Sequence, residues 1–508
     1  MRGLSVKRLF YGLGLGIMNV AVIWCAIYLW GAQSYGLLAL LLLGALALNA
    51  LFILPGGYPY RYLAPAAVFM TLLVIYPIVY TVYVALTNYG TGNILTKEQV
   101  VNQFENRYVL DPDAGNYAFR VFENAQSDRI FLFTAPDGRL LLGRAGVLKD
   151  VTGQDEADVI PAVYRELERR DVIRLSTELS SLTFEYGEEY QLRMRSASAF
   201  ALYTKQYSYD SEKDELVDLI SGVVYRPVNG AFQAPDGTRL TPGFRIVVGL
   251  RNFQRLFGNP QITGPFLRVF LWTITWALLS VGTTFAVGLF LALLLNDPYL
   301  RFRRLYRSLL ILPYAVPAFI SALIWQGLYH TEFGVINRAL QLLFDVRVPW
   351  LQDPFYAKVA LVILNLWLGF PYMMIVCLGA LQSINNEMYE AALVDGATTW
   401  QQFRYVTMPL LMVSVAPLLV SSFSFNFNNF SVIYLLTRGR PPIPGAQTPA
   451  GHTDILISYT YRLAFESGRG VDYGLASAVT LIIFLITGTI TFINFRFTGA
   501  LEDVRENV

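Results

Sequence analysis

The amino-acid sequence predicts an all-α polytopic membrane protein with eight transmembrane helices and a β-rich mixed extracytoplasmic insertion. Three observations carry that prediction. Of the 508 residues, 54% are hydrophobic and only 15% charged, with a mean hydropathy of +0.43, a balance suited to a bilayer rather than to a water-facing surface. The apolar residues fall in charge-free runs long enough to cross hydrocarbon. The charges are segregated: residues 97–255 hold 24 acidic and 20 basic side chains, and the rest of the chain 13 acidic and 19 basic.

Residues 9–60 contain no charged side chain, and Pro55, Gly56 and Gly57 close the run. At about 20 residues per span this length holds two helices, turning near "GAQSYG". Further charge-free runs at 62–96, 269–296, 308–331, 359–386, 405–437 and 473–495 complete the eight. Arg2, Lys7 and Arg8 precede the first run as in a signal peptide, but the run is long and no A-x-A-like site follows, so an uncleaved helix is expected. The organisation that results is two N-terminal spans (1–60), a third (61–96), a periplasmic insertion (97–260) and a core of five spans (261–508). Arg61, Arg301, Arg303, Arg304, Arg307 and Arg404 fall on one side with the N-terminal cations, which by the positive-inside rule places both termini in the cytoplasm.

Within the insertion, "RIFLFTAPDGRLLLG" and "GAFQAPDGTRLTPGFRIVVGL" each set a Pro-Asp-Gly turn between apolar stretches and predict hairpins. "PAVYRELERRDVIRLSTELS" predicts an amphipathic helix. The size of the insertion favours a folded docking module over a plain loop. Cys25 and Cys377 both lie in apolar runs, and His330 and His452 are far apart, so neither a disulfide framework nor a metal site is expected. The spans lack the acidic or basic relays of proton- or sodium-coupled carriers, and two matching halves are not evident. No G-x-x-x-x-G-K-[ST] pattern occurs, so the chain has no recognisable means of holding ATP. Coupled transport would need energy from another polypeptide.

One polar interval separates two long apolar runs: "YEAALVDGATTWQQFRYVTMP", 389–409. Asn385 is a good N-cap, Glu387 suits the positive end of a helix dipole, and Gly396 can end the helix in the left-handed conformation. A second helix over 398–407 follows, with Pro409 in the first turn of the next span. Composition alone allows either a docking device or an ordinary interfacial segment. The order Glu390-Ala391-Ala392, three residues, Gly396, nine residues, Val406-Thr407-Met408-Pro409 resembles the EAA loop of ABC importer permeases, with Val and Met in place of Ile and Leu. "LPYAVPAFISALIW", "LNLWLGFPYMM", "SFSFNFNNFSVIYLLTRG" and "TPAGHTDILISYTYRLAF" resemble, in order and spacing, the maltose/maltodextrin permease subunits of that family, from the third span onward.

The resemblance implies a six-helix ABC importer permease core in the inner (cytoplasmic) membrane and a transporter subunit that is not itself an enzyme. The loop 385–409, through Glu390, Ala391, Ala392, Gly396 and Pro409, would seat on an ATPase subunit. The implied partners are a second permease subunit (MalG-like), two ATPase subunits (MalK-like) that bind ATP and magnesium, a periplasmic sugar-binding protein (MalE-like) docking on the insertion, the sugar, and membrane lipid. No cofactor in this chain and no nucleic acid are implied.

Ser422, Phe425, Asn426 and Asn429 recur at three- and four-residue spacing and so share one helix face; Asn365, Leu368, Gly369 and Tyr372 do the same on another span. Asn donates to and accepts from hydroxyls, and aromatic rings stack on the apolar face of a pyranose. Residues of these types also form plain interhelical hydrogen bonds. The resemblance places the family's sugar site on these two faces, with Tyr314 joining them. Where the family often carries a hydroxyl four residues after that tyrosine, this chain has Ala318. Trehalose, sucrose or another oligosaccharide is the alternative cargo, and a membrane sensor or assembly protein the alternative class.

Overall fold

The computed structural model describes residues 2–506 apart from 33, 54–59, 61–62, 112–114, 188–189, 197 and 467–469, with side chains described over 12–492 except 64 and 65. Pro55, Gly56, Gly57 and Arg61 lie outside the described residues, as do the side chains of Arg2, Lys7 and Arg8. The chain divides into two compact units: Met1–Leu86 with Leu250–Phe465 and Leu475–Val508, and Thr87–Gly249 with Glu466–Gly474.

The first unit begins with a hairpin of α1 (Arg2–Gly31) and α2 (Tyr35–Ile53). Asn19 Nδ2 donates to Asn49 Oδ1 at 2.9 Å and Asn49 Nδ2 donates back to Asn19 Oδ1 at 2.8 Å. This reciprocal pair satisfies two amides that have little access to water at membrane depth. Next, α3 (Ala64–Met70), a π turn (Thr71–Ile75) and α4 (Tyr76–Ala85) make one span. The π turn sits just before Pro77, whose ring and missing N–H are incompatible with an unbroken α ladder.

The second unit is β-rich. After α5 (Lys97–Glu105) come β1 (Tyr108–Leu110), β2 (Asn116–Glu123), β3 (Arg129–Thr134), β4 (Leu140–Arg144), β5 (Val147–Asp150), β6 (Arg165–Glu166), β7 (Thr183–Tyr186), β8 (Tyr190–Ser196) and β9 (Ala199–Lys205). They form a sheet in the order β1-β9-β8-β7-β5-β4-β3-β2-β6, which an additional β9–β2 pairing closes into a barrel. Phe133 fills its interior, with ring centroids 5.1 Å from Phe184 and 5.0 Å from Phe200. Gly143 on β4 leaves room for these rings, since a Cβ there would lie 2.7 Å from Phe133 and 2.8 Å from Phe184. A four-stranded meander of β10 (Tyr207–Asp210), β11 (Glu215–Asp218), β12 (Val224–Val228) and β13 (Ala231–Gln233) packs against α5 through Phe104, Tyr207 and Phe232.

The hairpin expected at 129–143 is the β3–β4 pair. The other Pro-Asp-Gly turn closes only a Gln233–Arg239 bridge, because the residues after it bridge instead to Thr87 and Leu95. The single amphipathic helix expected at 161–180 is broken. After α6 (Glu156–Val159), Arg165 and Glu166 join β2 as β6, and only α7 (Arg169–Arg174) and α8 (Ser176–Leu179) are helical. The forked ion pair of Arg120 with Glu166 and Glu156, at 2.6 and 2.8 Å, fixes that strand against β2.

The first unit resumes with α9 (Arg251–Gly258), α10 (Pro260–Asn296), α11 (Arg303–Ala315), α12 (Ala318–Leu328), α13 (Val335–Phe344) and α14 (Pro354–Gln382). It continues through α15 (Asn386–Val394), α16 (Thr399–Gln402), a second π turn (Phe403–Thr407), α17 (Met408–Phe427), α18 (Phe430–Thr437), α19 (Leu456–Phe465) and α20 (Tyr473–Glu506). Among the described residues seven helices are long and apolar enough to cross a membrane; α11 and α12, bent by 89° at Val316 and Pro317, make an eighth span if taken together.

Two glycines allow α10 and α14 to approach closely. A Cβ on Gly288 would lie 2.6 Å from Met373 Cβ and 2.7 Å from Met374 N, and one on Gly369 would lie 2.8 Å from Thr284 Cγ2. Beyond α18, the loop leading to α19 is held by Asp454, which has no exposed surface. Its Oδ2 accepts from Gly451 N at 2.8 Å and Arg462 Nη1 at 2.6 Å, and its Oδ1 from Ser458 Oγ at 2.8 Å. Burial pushes this carboxyl up to about 6, against the lowering pull of Arg462, Ser458 and the Gly451 N–H. Gly439, at φ +74, must be glycine here, because a Cβ would fall 2.1 Å from Asp454 Oδ1.

The α10–α14 contact gives a sharp test. Gly288→Ala is expected to cost about 1–3 kcal/mol by overpacking a backbone contact, while Gly282→Ala, whose Cβ meets no atom within 4 Å, is neutral or slightly stabilising. Melting temperatures of the two purified variants in detergent decide it, and equal values would show that the two helices do not need the glycine.

Candidate functional site

The first unit contains a cavity of about 660 Å³, within the roughly 300–1,000 Å³ typical of small-ligand sites. Tyr314, Asn365, Leu368, Gly369, Tyr372, Ser422, Phe425, Asn426 and Asn429 all line it. The structure therefore brings together every residue that the two helix faces and Tyr314 nominated. Thr284, Ser421, Ser431 and Met373, with the stretch from Pro313 to Ala318, complete the wall. No charged side chain lines it among the described residues.

Two breaks in regular helix build this space. The first is the 89° bend between α11 and α12, which puts Ala315, Val316, Pro317 and Ala318 on the wall. Residues 308–331 read as one span in the sequence; Pro317 turns it, as the residue before a proline is forced out of the α region, and Val316 has φ −85° and ψ 127°. The second is the end of α17 at Phe427, whereas spacing placed Asn429 on the same helix face as Asn426. Asn429 instead caps α18, its side chain accepting from Val432 N at 3.4 Å. It reaches the cavity from the break, not from the face, and its Nδ2 stays a donor.

The polar wall is organised by one pair. Asn365 Nδ2 donates to Asn426 Oδ1 at 3.0 Å, between α14 and α17. Asn426 Nδ2 donates to Ser422 O at 2.9 Å, and its own carbonyl accepts from Trp276 Nε1 at 3.0 Å. The interhelical hydrogen bond and the cavity wall are thus the same atoms. Tyr314 and Tyr372 lie nearly parallel, 6.5 Å apart at 21°, and Phe425 leaves 69% of its surface open. The cavity offers amide and hydroxyl groups beside aromatic faces, with no ion to compensate a charged ligand. Among the described residues no group of three His, Cys, Asp or Glu side chains could hold a metal.

The segment 385–409 is a separate feature of the same unit. Asn385 Oδ1 accepts from Glu387 N at 3.1 Å, which caps α15. At its other end Gly396, with φ +77, completes a two-bond C-cap: Gly396 N donates to Leu393 O at 3.0 Å and Ala397 N to Ala392 O at 2.9 Å. Tyr389 and Thr407 join the two halves through their hydroxyls at 3.0 Å. Glu390, Ala391, Gly396 and Pro409 are exposed and Ala392 half-buried. Leu393, Val394, Trp400 and Tyr405 stand exposed around them, Val394 by 87%, a surface of the kind that marks a protein or membrane contact. The expected helix over 398–407 is α only to Gln402. From Phe403 the π turn carries the chain without a restart into α17, Met408 N donating to Phe403 O, so Pro409 sits in a continuous rod whose widened turn accommodates it.

Thr284, Ser421, Ser431 and Met373 were not singled out by sequence. The signal that could have found them is Pro313 and Pro317, a proline pair that breaks a span and leaves backbone to line a cavity.

A family model described as the binding-protein-dependent transport system inner membrane component matches residues 284–502, and one described as the N-terminal of the TM subunit in PBP-dependent ABC transporters matches residues 68–146. The maltose/maltodextrin transport system permease protein MalF of Vibrio cholerae serotype O1 is 39% identical over 450 residues, covering 87% of this chain and 85% of that protein. The protein of the same description from Escherichia coli K12 is 37% identical over 501 residues, covering 95% of each. A solved chain of a bacterial ABC transporter involved in import of the acidic polysaccharide alginate aligns with 50% of this chain and 84% of its own at 27% identity, with a TM-score of 0.43.

The Asn365–Asn426 pair is directly testable. Asn365→Leu leaves a buried amide oxygen unpaired and is expected to cost about 1–3 kcal/mol of stability, whereas Asn365→Leu with Asn426→Leu recovers most of that. A double-mutant cycle on thermal unfolding in detergent reads the coupling, and additive losses would dissociate the two residues.

Proposed function

The chain belongs to the MalF family of inner-membrane components of binding-protein-dependent transport systems, and from that premise we propose that it carries maltose and maltodextrins across the cytoplasmic membrane as the permease subunit of an ATP-driven importer. The observation that carries this reading is the uncharged cavity in which two amide-bearing helix ends and three aromatic rings converge. A neutral, hydroxyl-rich solute suits such a wall, since its hydroxyls can donate to and accept from the amides and hydroxyls while the ring faces cover the apolar side of a pyranose. A charged solute would be buried there unpaired.

Asn365, Ser422, Asn426 and Asn429 would hold sugar hydroxyls, Tyr314, Tyr372 and Phe425 would stack on the rings, and Leu368 and Gly369 would shape the floor. The segment 385–409 would dock on an ATPase subunit through Glu390, Ala391, Ala392 and Gly396, with Pro409 at its junction with α17. Two such ATPase subunits (MalK-like) would bind ATP and magnesium, and this chain would catalyse no bond chemistry. A second permease subunit (MalG-like) would complete the pathway. The unit containing residues 87–249 would face the periplasm and receive a sugar-binding protein (MalE-like), with both termini in the cytoplasm. One residue favours a second reading: Ala318 puts a methyl where the family often has a hydroxyl, so another glucoside such as trehalose is the alternative cargo.

Two experiments test this reading. Uptake of labelled maltose by vesicles that contain the assembled complex and the binding protein should fall at least about tenfold in an Asn426→Ala, Asn429→Ala variant, given about 1–3 kcal/mol for each lost buried hydrogen bond; undiminished uptake would sink the site. At Gly396 a side chain meets no atom of this chain within 4 Å, and the positive φ costs roughly 1–2 kcal/mol. Gly396→Leu should therefore fold and insert yet no longer co-purify with the ATPase subunit, and retained co-purification with full transport would remove the segment from coupling.

A further inference from the structure

The six-residue connection 297–302 and the first turns of α11 carry a concentration of positive charge that the sugar pathway does not use. Arg301, Arg303, Arg304 and Arg307 fall within seven residues, and among the described residues none has an ion-pair partner. Asp297, the sole acid from 297 to 312, turns its Oδ1 to Tyr299 N at 2.8 Å. Arg307 has a structural role, because its Nη2 donates to Leu295 O at 2.9 Å and so caps the end of α10. The other three guanidinium groups serve no hydrogen bond within the described residues.

Their placement is unfavourable for the chain alone. Arg303 and Arg304 open α11, whose first turn holds no acid and whose N-cap, Phe302, gives no side-chain hydrogen bond. Cations at the positive end of a helix dipole repel it, and Arg303 and Arg307, four residues apart, repel each other. Phe302 adds backbone strain, with φ +60, a conformation uncommon for a bulky residue. An anion from outside the chain would offset both charge effects.

We propose that this corner binds the headgroup of an anionic phospholipid, with Arg301, Arg303 and Arg304 on the phosphate and an acyl chain along the outer face of α11. Three observations select a lipid over a free anion. The connection joins two membrane-crossing segments, so its arginines stand at the bilayer surface. Leu305, Leu309 and Leu312 follow at four- and three-residue spacing, each more than half exposed, and form an apolar stripe that runs from the arginines down the helix. Tyr299, exposed by 91%, and Phe302, by 70%, flank the corner as headgroup-level aromatics. The leaflet is the one on the side of segment 385–409, since Leu295, Leu310, Ile384 and Phe403 share one core cluster.

The test uses the full-length chain in a non-ionic detergent, offered equimolar phosphatidylglycerol and phosphatidylcholine of matched acyl chains, with bound lipid read by native mass spectrometry. The wild type is expected to retain phosphatidylglycerol over phosphatidylcholine by at least about tenfold, and a millimolar excess of inorganic phosphate should not displace it. R301Q/R303Q/R304Q should bind both lipids alike, with phosphatidylcholine binding unchanged and a melting temperature no lower than that of the wild type, and R303K/R304K should keep the preference. On the wild type alone, the preference should weaken as sodium chloride rises from low to high concentration. A preference that survives the triple substitution, ignores salt, or is abolished by inorganic phosphate would overturn the lipid site.

Discussion

The close approach of α10 to α14 is the constraint on which the rest of the membrane unit depends. Hydrocarbon offers no hydrophobic drive for one apolar helix to leave lipid and join another, so association rests on packing contact and on interhelical polar pairs. Gly288 and Gly369 let two long helices meet with backbone almost against side chain. That contact fixes where Asn365, Leu368 and Tyr372 point, since all three lie on α14 within a turn or so of Gly369. Trp276 on α10 then reaches the carbonyl of Asn426, which ties α17 to the same frame. The cavity is what remains when three helices are held this way and a fourth, the bent α11–α12 pair, cannot follow them.

Irregular backbone in a membrane is tolerated only where it is covered by protein or lines a cavity, and this chain uses it in that way. The bend at Val316 and Pro317 and the break after Phe427 both open onto the same space. The two π turns are a different device: each sits just before a proline, and each keeps a rod continuous where an α ladder would be interrupted. One kind of break makes a pocket, and the other preserves the stiffness of the helix on which a pocket residue is mounted.

Much of this was legible in the sequence because it follows from charge and period. Uncharged runs gave the spans, the cluster of charges marked the insertion, and the three- and four-residue spacing of Asn365 to Tyr372 and of Ser422 to Asn426 named two walls of the cavity. What spacing could not supply was geometry after a helix stops. Asn429 reaches the cavity from an N-cap position that periodicity extrapolated as more helix, and Thr284 and Ser431 carry no pattern that separates them from other hydroxyl residues in an apolar run. The joining of residues 470–474 to the β-rich unit, through Thr91 N on Val471 O at 2.8 Å, is a contact between segments nearly four hundred positions apart, and no local signal encodes it. The helix expected at 161–180 failed for a similar reason: Arg165 and Glu166 pair with Glu123 and Phe122 at the edge of the sheet, a contact with a distant strand that the segment's helical pattern does not encode.

The same geometry bears on how force would travel. Segment 385–409 hangs between the ends of α14 and α17, and the two halves of the Asn365–Asn426 bond are mounted on those two rods. From Asn365 to Gln382 and from Met408 to Asn426 each rod runs roughly 25 Å at 1.5 Å per residue. Between them lies a cluster of Leu289, Leu295, Met374, Cys377, Leu381, Leu411 and Val415, all buried, close-packed and therefore poorly compressible. A displacement at the exposed segment cannot be absorbed there; it must rotate or separate the rods as bodies. Between the two rods, the polar contact such a motion meets among the described residues is the Asn365–Asn426 hydrogen bond, which also supplies wall atoms of the cavity. On the function proposed above, a bound sugar that bridged both asparagines would resist the separation and a separation would release the sugar, so that cargo and segment 385–409 would compete through a single pair of amides without any need for a longer relay.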